Sequence, residues 1–335
     1  MTIKDLALKT GYAVGTVSRA LNNHPNVSSK AREAILLAAQ ECGFELNLNA
    51  KQLKQQSTNN VLVVVKGIGN ELFGEIVETI QNKIAQTNYQ LVVDYMDEDL
   101  NEVLRAVSLV REKKPLGILF LGGNSLNFAK DFDKIEVPCV LVTNDASELR
   151  FSNLSSVSMD EREVGKRAVE TLIGLGHRDI AVIGGDRTVS DTGRLRYEGC
   201  MQAFRDHKIP FEPELDYHSV RFSYQGGYEA TRRLMDSGKK YTAIFAEADV
   251  IAIGAIRALR DLGLRVPEDI SVMGVDGLPI SNYLTPQLAT VCQPAYLLAQ
   301  SSADILLNAI EKGKTACHRQ VEFQVLSRES IRDIR

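Results

Sequence analysis

Two hydrophobic periodicities divide the chain, and they meet near residue 60. Through the first part apolar positions recur at helical spacing: Ile3, Leu6 and Ala7, then Val17, Ala20 and Leu21, then Ala31, Ile35, Leu36, Ala38 and Ala39. Thr2, three residues before Asp5, is a capping-box variant for the first helix, which ends at Thr10-Gly11. Ser28 is placed to cap the third helix and Gly43 to end it. Beyond Asn60 the pattern changes. Apolar, strand-like runs at Val61–Val65, Gln90–Asp94, Gly117–Leu121, Pro138–Thr143, Asp179–Ile183, Thr242–Ala246 and Ile270–Val275 alternate with helical segments. The helical segments are Glu75–Thr87, Leu100–Lys113, Glu161–Leu175, Gly193–His207, Gly226–Ser237 and Val250–Leu262. This alternation predicts an α/β fold, with parallel sheets covered by helices on both faces. About ten strands over roughly 275 residues suit two doubly wound halves better than one. Such sheets hold ligands at the carboxyl ends of their strands, so two facing halves would hold one in the cleft between them.

The second short helix carries an unusual outer face: Val14, Gly15, Thr16, Ser18, Arg19 and Asn22. Small side chains let a helix sink into the major groove, and one long arginine can reach guanine O6 and N7 with both forks. The pair of helices reads as a helix-turn-helix with a small polar reading face. An ordinary helical hairpin is the competing reading of the same spacing.

After the third helix comes Phe44-Glu-Leu-Asn47-Leu-Asn-Ala50-Lys-Gln-Leu53 and a polar stretch to Asn60. With Lys4-Asp5-Leu6-Ala7 and Gly15-Thr16-Val17-Ser18-Arg19-Ala20-Leu21-Asn22, these residues make the first 60 positions resemble the headpiece and hinge of the lactose-repressor (LacI/GalR) family of bacterial transcription regulators. The resemblance continues through Asn70-Glu-Leu-Phe73, Gly176-His177-Arg178-Asp179-Ile180, Thr192-Gly-Arg-Leu-Arg196-Tyr-Glu-Gly199 and Asp249-x-x-Ala-x-Gly254. It ends with Val266-Pro267-Glu-Asp-Ile-Ser271-Val-Met-Gly274-Val-Asp276, Leu284-Thr-Pro286 and Ser327-Arg-Glu-Ser330. It implies a DNA-binding headpiece over 1–45, a hinge helix and linker over 46–60, and an effector-binding and dimerisation domain of periplasmic-binding-protein type over 61–335. The chain would cross three times between lobe 1, about 61–159 and 291–321, and lobe 2, about 160–290 and 322–335.

The same resemblance assigns residues. Val14 and Gly15 fall where the family sets operator choice. Thr2, Ile3, Thr16, Ser18, Arg19, Asn22, Asn26 and Ser28 complete the expected DNA contacts of the headpiece. At the hinge, Asn47, Ala50 and Leu53 match, with Ala50 allowing close approach in the minor groove and Leu53 wedging a base step. A helix this short is marginal alone in water and would fold paired with its twin on DNA. A plain linker is the other reading of 47–60. Leu46 and Asn49 depart from the pattern and leave the hinge pairing less well matched.

In the cleft, Arg196 and Asp276 fall on the family's main effector positions. Without the resemblance they read as a helix-surface arginine and a strand-end turn. Phe73 and Phe222 match aromatic surface from the two lobes, and Asp145, Thr192 and Gln293 are further candidates. Before Asp249, where many relatives carry a polar ligand-binding residue, this chain has Ala248, preceded by Glu247. Carboxylate, guanidinium and ring suit a polyol, so a sugar or sugar derivative is the leading effector. A nucleobase and a phosphoprotein co-regulator are the alternatives.

Composition adds limits. The chain has 335 residues, 44% apolar and 24% charged, with net charge −4. That charge alone argues against DNA, but its distribution does not. Lys4, Lys9, Arg19, Lys30, Arg32, Lys51 and Lys54 outnumber Asp5, Glu33, Glu41 and Glu45 in the first 60 residues, so a basic head sits on an acidic body. Its modest charge predicts that one copy binds weakly and that a dimer is needed, and the resemblance implies a homodimer on a pseudopalindromic operator. The five scattered cysteines lack a C-x-x-C pair and suit free thiols in a reducing cytoplasm. No apolar h-region, membrane-length run or metal-ligand spacing is present, so a cytoplasmic protein without metal or cofactor is expected. The chain also shows no leucine-heptad tail after Ser330, which favours a dimer over a tetramer. Gly67-Ile-Gly69 opens like a dinucleotide fingerprint, but Leu72 stands where the third glycine belongs. No phosphate loop or nucleophile elbow exists, and Asp97, Glu98 and Asp99 read as a solvated charged loop. A ligand-controlled repressor, not an enzyme or a plain sugar-binding protein, is the expectation.

Overall fold

The computed structural model describes residues 3–21, 27–42 and 59–335. It divides into two compact units, Met1–Thr58 and Asn59–Arg335. The first contains α1 (Ile3–Thr10), α2 (Val14–Leu21) and α3 (Ser29–Glu41). Gly11 turns the chain between α1 and α2 at φ +70°, a conformation L side chains rarely adopt. Leu6, Ala7, Val17, Ala20, Ile35 and Ala39 form its small core. The Ser28 hydroxyl accepts from Ala31 N at 3.3 Å and starts α3. Leu36, read as part of the apolar stripe, is 46% exposed. The predicted stop at Gly43 lies outside the described residues.

The second unit is built on two sheets. The first has the order β11-β5-β4-β3-β1-β2, with β1 (Asn60–Lys66), β2 (Gln90–Met96), β3 (Gly117–Leu121), β4 (Cys139–Thr143), β5 (Leu154–Ser158) and β11 (His318–Gln320) all parallel. The second has the order β12-β10-β9-β8-β6-β7. Its strands are β6 (Ile180–Gly184), β7 (Tyr217–Ser219), β8 (Ala243–Ala246), β9 (Ser271–Asp276), β10 (Ala289–Cys292) and β12 (Gln324–Leu326). Only β12 runs antiparallel to its neighbour. Helices connect the strands: α4 (Glu71–Ile84), α5 (Glu102–Lys113), α6 (Ser125–Asp131), α7 (Glu161–Gly174), α8 (Asp191–Asp206), α9 (Pro213–Asp216), α10 (Tyr224–Asp236), α11 (Asp249–Asp261) and α12 (Ala295–Lys312). Val61 to Val65 are fully buried on both faces, as expected of a central parallel strand covered from both sides.

The chain passes between the sheets three times: after β5, after β10 and between β11 and β12. The second passage lies later than the boundary expected at 290/291. The ladder pairs Val291 with Val275 and Cys292 with Asp276, so β10 stays whole in the second sheet and delivers Gln293 beside Asp276. Each sheet reverses its strand order once, at β1/β3 and at β6/β8. The loops leaving those strands diverge and open a crevice in each half.

Two glycines fix the crossing of α7 and α8. A Cβ on Gly165 would collide with the backbone of Arg196, and one on Gly199 with the carbonyl of Arg162. Without side chains there, the two helices touch backbone to backbone, which brings Arg196 against Glu161 at the start of α7.

Candidate functional site

The two crevices enclose one cleft of about 650 Å³, well inside the roughly 300–1,000 Å³ range of small-molecule sites. Phe73, Thr192, Arg196, Phe222, Asp276 and Gln293 all line it. Asp145 does not. Its carboxylate turns back to accept from Ser147 N (3.0 Å), Ser147 Oγ (2.7 Å) and Ser156 Oγ (3.1 Å), closing an exposed turn after β4. The cleft is reached instead by Thr143 and Asn144, two and one positions earlier. Thr143 (φ +77°) and Asp276 (φ +118°) end their strands at positive φ. Strain of this kind persists where the surrounding structure holds it, commonly at binding sites.

Arg196 is the centre of the floor. Nε donates to Glu161 Oε2 at 2.6 Å, and Nη1 donates to the carbonyl of Glu247. Burial would lower the guanidinium's pKa, but Glu161 and Asp276 outweigh it and hold the group charged. Asp276 Oδ1 accepts from Gln293 Nε2 at 2.7 Å. Asp276 Oδ2, Gln293 Oε1, Glu161 Oε1 and Glu247 Oε1 are buried without a hydrogen-bond partner. Burial pushes the Asp276 carboxyl up to about 6 and Glu247 up to about 8. Asp249, which accepts from Leu278 N and Thr290 Oγ1, rises to about 8 through burial and the charge of Asp276. Ala248 lines the cleft as a methyl, while Glu247 behind it accepts from Gly185 N at 3.0 Å.

The rim joins the halves. Arg221, from the loop after β7, donates to Asp97 at 3.1 and 3.2 Å and to Asp99, and lies 3.5 Å from Glu98. In the loop read as a solvated face only Asp99 is exposed; Asp97 and Glu98 are half-buried, and all three line the cleft and bridge it. Tyr224 Oη donates to Glu71, Asn124 Nδ2 to the carbonyl of Val189 at 2.9 Å, and Ser125 N to Asp191 Oδ2 at 2.5 Å. Sequence reasoning did not assign Glu161, Glu247, Asn144 or Arg221 to the site. Of these only Glu247, beside the out-of-pattern Ala248, carried a local signal.

On the headpiece, Val14, Gly15 and Arg19 are exposed, and Ile3, Thr16 and Ser18 are half-buried. Arg19 Nε rests on the carbonyl of Gly15 at 3.1 Å. A Cβ on Gly15 would meet only the tip of Arg19, at 3.9 Å, so this face has room for a larger residue. Ser28 is exposed but its hydroxyl is engaged as the α3 cap. Thr2, Asn22, Asn26, Leu46, Asn47, Asn49, Ala50 and Leu53 lie outside the described residues. Among the described residues no acidic, histidine and cysteine cluster could hold a metal, and no helix is long and apolar enough to cross a membrane.

A short helix-turn-helix unit and a two-sheet unit with a ligand-sized cleft define a class, the ligand-responsive DNA-binding regulators. Comparison with known proteins narrows it. Residues 2–47 match the family model of bacterial regulatory proteins, lacI family, and residues 169–331 match that of the periplasmic binding protein-like domain. The HTH-type transcriptional regulator MalR of Clostridium butyricum is 35% identical, and the alignment covers 100% of both chains. Among solved structures, a transcriptional regulator CelR–cellobiose complex aligns at TM-score 0.71 and 26% identity, over 98% of this chain and 99% of the other. A lac repressor dimer bound to operator and the anti-inducer ONPF aligns at TM-score 0.74 and 26% identity, over 99% of each chain. The chain belongs to the LacI family of transcriptional regulators.

Proposed function

We propose that this regulator is a cytoplasmic, non-catalytic repressor that binds a pseudopalindromic operator as a homodimer and is controlled by a sugar or sugar derivative in the cleft. The observation that carries the effector part is the floor. Arg196, Asp276 and Gln293 are buried together, and two of their acceptor oxygens lack a partner, in a chain that also carries a helix-turn-helix. The relatives support the same reading, one in complex with cellobiose and one with operator DNA. Phe73, Thr192 and Phe222 complete the ligand site, and Asp145 is left out of it. Headpiece 1–45, hinge 46–60 and effector domain from 61 are the working divisions, with Val14, Gly15 and Arg19 reading bases. Asn47, Ala50 and Leu53 would act at the operator centre.

Control needs two relative orientations of the lobes, which the effector binds with different affinity. DNA affinity then changes by that difference and no more. Induction and co-repression both fit this scheme. A gel-shift titration on a pseudopalindromic operator, with and without sugars, tests it. A sugar that shifts the titration supports the reading, and indifference across a broad panel counts against it.

A further inference from the structure

The charges in the cleft are unevenly matched. Five carboxylates line it against three cations, and each cation already faces a carboxylate of the protein. Arg196 is held by Glu161, Lys66 by Glu102 at 2.6 Å, and Arg221 by Asp97 and Asp99. Helix N-termini, the other common anion holders, are claimed too. Asn70, Ser190 and Ser223 line the cleft and cap α4, α8 and α10 by accepting from Leu72 N, Gly193 N and Gly226 N. The start of α11 has no side-chain cap at Ala248, but its first residue is itself a carboxylate, Asp249. The unmet need is of the opposite kind. Asp276 is 3% and Gln293 5% exposed, and Asp276 Oδ2 and Gln293 Oε1 are acceptors awaiting a donor.

On the reading of this cleft as an effector site, we propose that it selects an electrically neutral, hydroxyl-rich ligand, whose O–H groups donate to Asp276 and Gln293, and that it rejects sugar acids and sugar phosphates. A carboxylate or phosphate group offers further acceptors and a like charge in a water-poor space. A neutral polyol offers donors at no charge cost, with its C–H faces free to lie on Phe73 and Phe222. An ammonium would also donate, but it would have to shed its hydration shell to face a carboxylate whose charge Arg196 already offsets.

The test is calorimetric titration of the full-length protein with neutral pentoses, hexoses and disaccharides. Each binder is then compared with its uronic acid, its phosphate ester and its amino derivative. The expected result is at least tenfold weaker binding of both anions and weaker binding of the amine. In Asp276→Asn the neutral-to-anion gap should narrow several-fold. If that variant does not fold, Glu98→Gln on the rim should narrow it in the same direction by less. An anion that binds as tightly as its neutral parent overturns the charge selection and leaves the effector reading standing, and a tighter amine overturns neutrality in the same way. An unchanged gap in a folded Asp276→Asn removes Asp276 from the selection. If no member of the panel binds, the effector reading itself falls and this inference with it.

Discussion

A guanidinium as deeply buried as that of Arg196 is tolerable because Glu161 lies 2.6 Å from its Nε and the Glu247 carbonyl takes Nη1. Removing it leaves Glu161 as a buried, uncompensated charge, a change that costs about 3–5 kcal/mol in comparable pairs. Arg196→Ala should therefore lower the urea midpoint strongly and abolish sugar binding. The double variant Glu161→Leu/Arg196→Met should recover most of the stability but none of the binding. A stable Arg196→Ala protein would mean the pair is not buried as described. Glu247 makes a second prediction. Burial raises its carboxyl from the ordinary 4.5 to about 8. Between those values the folded chain keeps a proton that the unfolded chain has released, so its contribution is full below about 4.5 and is lost as pH rises towards 8. Asp276, raised from 3.8 to about 6, adds a loss of the same sign at lower pH. Urea denaturation at about pH 5 and about pH 8 should show the decline in the wild type, and Glu247→Gln should flatten its upper part. An unchanged slope in that variant would place the titration elsewhere.

At the scale of elements, the reading helix carries the prediction. Arg19 is exposed on α2 near Gly15, whose open face leaves Arg19 as the long side chain there. Arg19→Ala should cost roughly 1–3 kcal/mol at one base pair per half-site and relax specificity there. Binding titrations against single-base operator variants measure this, and equal weakening on all sequences would make Arg19 a phosphate contact. Much of this level was legible in the sequence. The strands around Val61–Val65, Gly117–Leu121 and Ile270–Val275 announce themselves because buried parallel strands are continuous apolar runs. Strand β5, Leu-Ser-Ser-Val-Ser, is not an apolar run. Its serines 155, 156 and 158 are buried and break the apolar signal. Cleft residues at strand ends and helix starts, such as Arg196 and Asp276, could be placed by family pattern. Glu161 and Glu247 could not, because an acidic residue in a sequence reads as exposed. Their burial arises only when the glycine-mediated crossing of α7 and α8 brings Arg196 to them. Asp145 failed for a local reason: its turn uses both carboxylate oxygens.

For the two-sheet unit as a whole, the sheets are joined by three chain crossings and by hydrogen bonds across the cleft. Polypeptide crossings hold the halves together in any orientation, whereas the side-chain contacts require the two rims to lie within hydrogen-bond reach. Arg221 is the clearest of these, since it reaches Asp97, Glu98 and Asp99 from the opposite half while remaining solvent-exposed. Exposed ion pairs add little to folding stability and weaken with salt. A contact made in one orientation and absent in the other nevertheless shifts the balance between them. Arg221→Ala should therefore leave the melting temperature close to that of the wild type but weaken sugar binding several-fold, mainly through faster release. Raising the ionic strength should weaken the wild type in the same direction and affect the variant much less. Stopped-flow release rates at low and high salt, for both proteins, give the comparison. If the variant released its ligand at the wild-type rate and kept the wild-type salt dependence, the rim pairs would be bystanders to closure. The contacts of Asn124 and Ser125 on the other rim would then have to bias it.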